Sequence, residues 1–199
     1  AGSIHRWKVT VPEFSCDLEF ANVLPAWMPG DGIAYYTRDA RYYFQYALPA
    51  PLARVTGTVT VFGRTVPADG QCFYDTVECL TPLSQTNEEV VTYRTFGSSQ
   101  TPPQGRWFVF LYRIRSHRGF GSQVFPMLVV ARGDSWVLTS REIDFSVLQT
   151  DRMSDPPYPY ATTVAVSARQ GGASITGTFA SERPFHVMDI FARLPPLFR

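Results

Sequence analysis

Charge is scarce in this chain. Only 18% of its 199 residues are charged, and among eighteen basic residues Lys8 is the sole lysine. A net charge of +1 argues against the broad basic face that displaces counterions from a phosphate backbone, so nucleic acid is not an expected partner. The seventeen arginines read as coding bias rather than as seventeen functional sites. Cysteine is sparse too: Cys16, Cys72 and Cys79 form an odd set with no CxxC pair. That pattern supports neither a disulfide framework nor a zinc knuckle, and buried, unreactive thiols are expected. No stretch approaches the roughly 18 to 20 uninterrupted apolar residues of a membrane-spanning helix. The start Ala1-Gly2-Ser3 has neither methionine nor a charged-then-apolar signal and reads as a processed, tagged or trimmed end. The compartment stays open, with the cytoplasm as the default.

Familiar catalytic signatures are missing as well. There is no GxSxG nucleophile elbow, no GxxxxGK[ST] phosphate loop, no HExxH helix and no GxGxxG turn. His5, His117 and His186 lie far apart without an adjacent carboxylate pattern. No metal site is therefore expected, and no cofactor. His117, at the end of the apolar run in RIRSHRG, reads as a solvated strand-end histidine rather than as a proton carrier.

What is present is apolar and aromatic: 45% hydrophobic residues, with fifteen phenylalanines, ten tyrosines and four tryptophans. Such a chain can build a sizeable core, and disorder is excluded for most of it. Short β-branched and aromatic runs are punctuated by glycine and proline. They are Trp7 to Val11, Phe14 to Phe20, Tyr42 to Ala47, Ala53 to Phe62, Gln71 to Val77, Val90 to Thr95, Trp107 to Ser116, Val124 to Val130 and Trp136 to Val147. Thr162 to Ala168 and Ala173 to Ala180 form a late pair around Gln170-Gly171-Gly172. The expected fold is all-β and antiparallel, a sandwich or barrel. Val55, Gly57, Val59 and Val61 alternate with Thr56, Thr58 and Thr60, as in a strand with one packed face and one wetter face. The turn-rich FGSSQTPPQG marks 97–105 as a linker between a first lobe, 1–96, and a second, 106–199. Leu80 to Glu89 and Asp151 to Tyr160 read as loops, and Val187 to Leu194 as a short helix stopped by Pro195 and Pro196.

Two constellations could bear chemistry. In WFVFLYRIRS, Trp107, Val109 and Leu111 share one face of a strand while Phe108, Phe110 and Tyr112 share the other. A strand apolar on both sides sits between two covered surfaces or lines a cavity. Tyr43, Tyr46, Trp107, Phe110, Tyr112 and Phe125 are the candidate ligand contacts, against the alternative that they are core. The second constellation is the Tyr74-Asp75 pair. In a dry pocket Asp75 would favour its neutral form and act as a proton donor, with Tyr74 orienting a carbonyl. Alternation lets only one of the two face inward on a regular strand, and an Asp75 that is merely solvated or paired with an arginine is the plainer alternative.

The passage Tyr42 to Thr76, YYFQYALPAPLARVTGTVTVFGRTVPADGQCFYDT, resembles consecutive strands of lipocalin-like proteins of the carotenoid 1,2-hydratase type. WFVFLYRIRSHRGFG, DPPYPYATTVAVSARQGGASITGTF and VMDIFARLPPLFR resemble later segments of that superfamily. It includes hydroxyneurosporene synthases, fungal Diels–Alderases and survival-factor-like proteins. The resemblance implies one or two lipocalin-like barrels that bind an apolar, polyene-like molecule. Hydratase-like members carry a histidine and a Trp-Gly pair near the aspartate of the "G…F.D" strand, whereas Asp75 here precedes Thr76-Val77-Glu78, so hydration does not carry over. A cofactor-independent cyclase of secondary metabolism is the first functional expectation, since holding a flexible chain in a reactive conformer itself lowers a barrier. A non-catalytic lipid or polyene carrier is the second, and a viral or structural jelly roll the third. The expected partner is a small hydrophobic substrate or ligand; the oligomeric state is not legible.

Overall fold

The structure is a computed structural model that describes residues 3–35, 37, 42–81, 83–99, 105–152 and 159–181. The expected helix at Val187 to Leu194 lies outside the described residues. The chain divides into two compact units, Ala1–Arg141 and Glu142–Arg199, and the 97–105 stretch falls within the first. The all-β, antiparallel expectation holds. Twelve strands form three antiparallel sheets among the described residues, none of them closed into a barrel.

In the first unit, β1 (Ile4–Val11), β2 (Phe14–Asn22), β3 (Ile33–Tyr35), β4 (Tyr43–Val61) and β5 (Arg64–Cys79) make one sheet. One edge of β4 pairs with β3 near its start and β2 near its end, while its other edge pairs with β5 throughout. A helical turn, α1 (Leu83–Thr86), leads to the second sheet. This is a meander of β6 (Asn87–Ser99), β7 (Gly105–Ser116), β8 (Val124–Arg132) and β9 (Ser135–Ser140). The sheets meet through Phe44, Tyr46, Leu48 and Leu52 of β4 and Phe108, Phe110, Tyr112 and Ile114 of β7. Leu111, Leu128 and Val130 are buried on the opposite face of β7 and β8, so β7 is covered on both sides, as its two apolar stripes predict.

The decisive local feature is the sequence Leu48-Pro49-Ala50-Pro51-Leu52. Neither proline can donate to a ladder, and the register of β4 against β5 slips twice here, between Ala47 and Ala50 and between Ala50 and Ala53. The Asn22 side-chain amide donates to the Pro49 carbonyl at 2.8 Å. The Val23 and Leu24 amides donate to the Leu52 carbonyl at 2.8 and 3.2 Å. The irregular backbone is thereby satisfied, as a buried backbone must be.

At this bulge the sheet exchanges its faces. Before it, Phe44, Tyr46 and Leu48 face the second sheet. Beyond it, that same side carries Arg54, Thr56, Thr58 and Thr60 with Asp69 and Gln71 opposite. There Arg6 pairs with Glu19, Lys8 with Asp17 and Arg54 with Asp69. The apolar residues move to the other side, where Ala50 and Ala53 pack with Phe20, Leu18, Val55 and Cys72. Strands that switch cores through bulges are the usual corner device of packed sheets.

The second unit holds β10 (Glu142–Arg152), β11 (Pro159–Gln170) and β12 (Ala173–Ala180), with β11 central. The Gly171-Gly172 turn joins β11 to β12, and Val164, Val166 and Ala168 of β11 are buried.

Candidate functional site

The interior of the first unit is an aromatic stack. Tyr46 lies parallel to Tyr112 at 4.5 Å between centroids and to Phe110 at 6.1 Å. Phe73 leans on Phe110 at 5.0 Å, and Phe44 meets Phe125 edge-on at 5.5 Å. Asp75 borders this stack, because β5 alternation turns Phe73 and Asp75 toward the second sheet. The Tyr46 hydroxyl donates to Asp75 Oδ2 at 2.8 Å, and the Arg94 guanidinium approaches the same oxygen at 3.7 Å. Arg94 also lies 4.4 Å over the Phe73 ring, a cation–π arrangement. Burial, then the Asp75 charge and the hydrogen bond to it, push the Tyr46 phenol far above the usual tyrosine range. Tyr46 is a fixed donor and no base.

Five of the sequence candidates converge here: Asp75, Tyr46, Phe110, Tyr112 and, through Phe44, Phe125. The others face elsewhere. Tyr43 reaches Glu78 at 3.4 Å. Trp107 is half-buried beneath the Arg132 guanidinium, 5.7 Å from its ring centre. Tyr74 points to the opposite side of the sheet from Asp75, in keeping with strand alternation. Phe110 and Tyr112 are core in this arrangement. A recess lined by Phe44, Tyr46, Tyr112 and Phe125 measures about 20 Å³, room for roughly one water molecule. A wider groove of about 390 Å³ is lined by Val23, Arg54, Asp69, Gly70, Gln71 and Arg106; its Arg54–Asp69 pair is about two-thirds exposed, so water satisfies it. His117 is exposed, and no three potential ligands cluster as a metal site among the described residues. Of the three cysteines expected to be buried, Cys16 is, whereas Cys72 and Cys79 are half-buried; burial pushes the Cys72 thiol upward.

A surface that residue-by-residue reading missed lies on the other side of the bulge. Register places Trp7, Val9 and Val11 of β1 across from Leu18, Cys16 and Phe14 of β2. These are flanked in turn by Gly57, Val59 and Val61 of β4 and by Ala68 and Val66 of β5. The result is one apolar face four strands wide. Trp7 packs on Phe20 at 5.1 Å and meets the Tyr74 ring edge at 6.0 Å, yet Trp7 is 48% exposed and Tyr74 38%. Val9, Val11, Phe14, Val61 and Val66 are exposed as well. Soluble surfaces scatter single apolar residues, whereas here they form one contiguous patch. The available signal was the alternation in all four strands read together, Val55-Gly57-Val59-Val61 included.

Similarity to known proteins extends this picture at the level of fold. A crystal structure of an AttH-type protein from Nitrosomonas europaea matches 82% of this chain with a TM-score of 0.52 at 15% identity. The fold is lipocalin-like and all-β. The chain spans about half of that protein, 49% of its length. No protein-family model and no curated protein matches the sequence. No helix among the described residues is long and apolar enough to cross a membrane.

Proposed function

We propose that this lipocalin-like chain binds an extended, apolar, polyene-like small molecule on the open face of β1, β2, β4 and β5, and acts as a carrier. The observation that supports the reading is the exchange of faces at Pro49 and Pro51. It turns an apolar, aromatic-bearing sheet surface away from the filled sandwich while the ion-paired side faces water. A flat conjugated chain laid across Trp7, Leu18 and Val59 gains the burial of both surfaces, about 25 cal/mol per Å². Lipocalin-like architectures use their apolar sheet face in the same physical way.

Cyclisation is the second reading, and one residue favours it. Tyr74 brings a phenolic hydroxyl to this face, where it would polarise a substrate carbonyl. Asp75 is turned to the sandwich side and held by Tyr46 and Arg94, so in this reading Tyr74 is the donor and Asp75 only positions the strand. Neither reading needs a cofactor.

Titration with a conjugated tetraene fatty acid tests the proposal. Tryptophan fluorescence should be quenched saturably, and Trp7→Ala should weaken binding about tenfold, the loss of one aromatic contact surface. No saturable binding across apolar ligands of varied length would end the proposal. Tyr74→Phe then separates the readings: a carrier keeps its affinity and has no rate to lose, whereas a cyclase loses turnover at unchanged affinity.

A further inference from the structure

We infer that the open apolar face is completed by a second copy of this chain, so that two copies enclose the ligand between them; this rests on the carrier reading. One sheet covers only one side of a flat ligand, whereas small-molecule sites bury roughly 70 to 90% of what they hold. A second wall is therefore required. The face suits a copy of itself because its centre, from Trp7 across Leu18 and Val59 to Val66, carries no charged side chain; Glu78, on the same side of β5, lies beyond Tyr74, where the Tyr43 hydroxyl reaches it. Arg64 stands at its border, across from Val61 at the hairpin end, and His5 lies across from Phe20 on the edge strand. A two-fold arrangement consequently brings no like charges together at its centre.

Area points the same way. The exposed parts of Trp7, Val9, Val11, Phe14, Val61, Val66 and Tyr74 sum to on the order of 600 Å², near the roughly 800 Å² per partner of a standard interface. The opposite side of the same strands, laced with Arg6–Glu19 and Lys8–Asp17 pairs, is the side kept in water. Two such sheets face to face stand about 10 Å apart. A flat polyene inserted between them would widen that gap slightly and touch both walls.

Sedimentation equilibrium over a concentration series, with and without the conjugated tetraene, tests this on the full chain. The wild type should dimerise, and the tetraene should tighten the dimer at least tenfold, because a ligand held by both copies must favour their association. Val9→Lys and Val61→Lys, both at exposed positions, should weaken the dimer at least tenfold. Thr56→Lys, on the polar side facing Glu19 and Asp69, should leave it unchanged. A wild-type chain that stays monomeric while saturating with tetraene overturns the second copy and leaves the carrier reading standing. A dimer that both lysine variants leave intact overturns it as well. A dimer broken by those variants but indifferent to the tetraene supports the interface and removes the ligand.

Discussion

Tyr46 and Asp75 show how one hydrogen bond distributes its consequences unequally. Tyr46 is 1% exposed, so removing its acceptor strands a donor without water. Asp75 keeps access to solvent and to Arg94. Asp75→Ala should therefore cost about 1 to 3 kcal/mol and Tyr46→Phe about 1 kcal/mol. Thermal denaturation of the two variants checks the order, and a larger loss in Tyr46→Phe would contradict it. The same phenol sets a pH dependence. Its folded-state pKa is raised above its unfolded value near 10, so the neutral form is favoured on folding. That stability is complete below pH 10 and falls as pH rises beyond it, by about 1.4 kcal/mol per pH unit while only the unfolded chain ionises. Urea unfolding between pH 9 and 11 should show a shallower decline in Tyr46→Phe than in the wild type. Strand alternation made it legible in the sequence that Tyr74 and Asp75 part ways. The partner of Asp75 was not legible, because it sits 29 positions away and is set by a register that two bulges shift.

Among the elements, β4 carries the organisation of the first unit. Its sequence reads as two strands, Tyr42 to Ala47 and Ala53 to Phe62, because prolines disfavour ladders. The structure joins them into one, since each proline sits where the register slips and Asn22, Val23 and Leu24 take up the freed carbonyls. Asn22→Ala would leave the Pro49 carbonyl without that donor and should cost about 1 to 3 kcal/mol, read from a urea midpoint; an unchanged midpoint would mean that water replaces it. Farther along, Gly57 has φ +141°, and a Cβ there would run into the Asp17 carbonyl oxygen with Leu18 Cα at 3.0 Å. Gly57→Ala should destabilise the β2–β4 pairing by about 2 to 4 kcal/mol. A variant as stable as the wild type would refute so close an approach. Two other elements escaped the pattern for plain reasons: β3 is three residues long, too short for a period, and Trp136 to Val147 is one apolar run that Arg141 divides between β9 and β10.

For the whole molecule, the β class and most strands were legible because alternation and turn residues are local signals. Which side of a sheet ends up covered is not local: it depends on how four strands align and on where their register slips. The aromatic residues singled out in the sequence accordingly divide between the packed sandwich and outward positions, while Trp7, Val9 and Phe14 form the open face. In the proposed function an apolar ligand binds this open face rather than the sandwich interior. Methyl NMR of the chain, assigned and titrated with the conjugated tetraene, tests it most directly. Binding on the open face should shift Val9, Val55, Val59 and Val66 and leave Leu48, Ile114 and Val129 unmoved; shifts confined to Leu48, Ile114 and Val129 would put the ligand in the sandwich and overturn the open-face site.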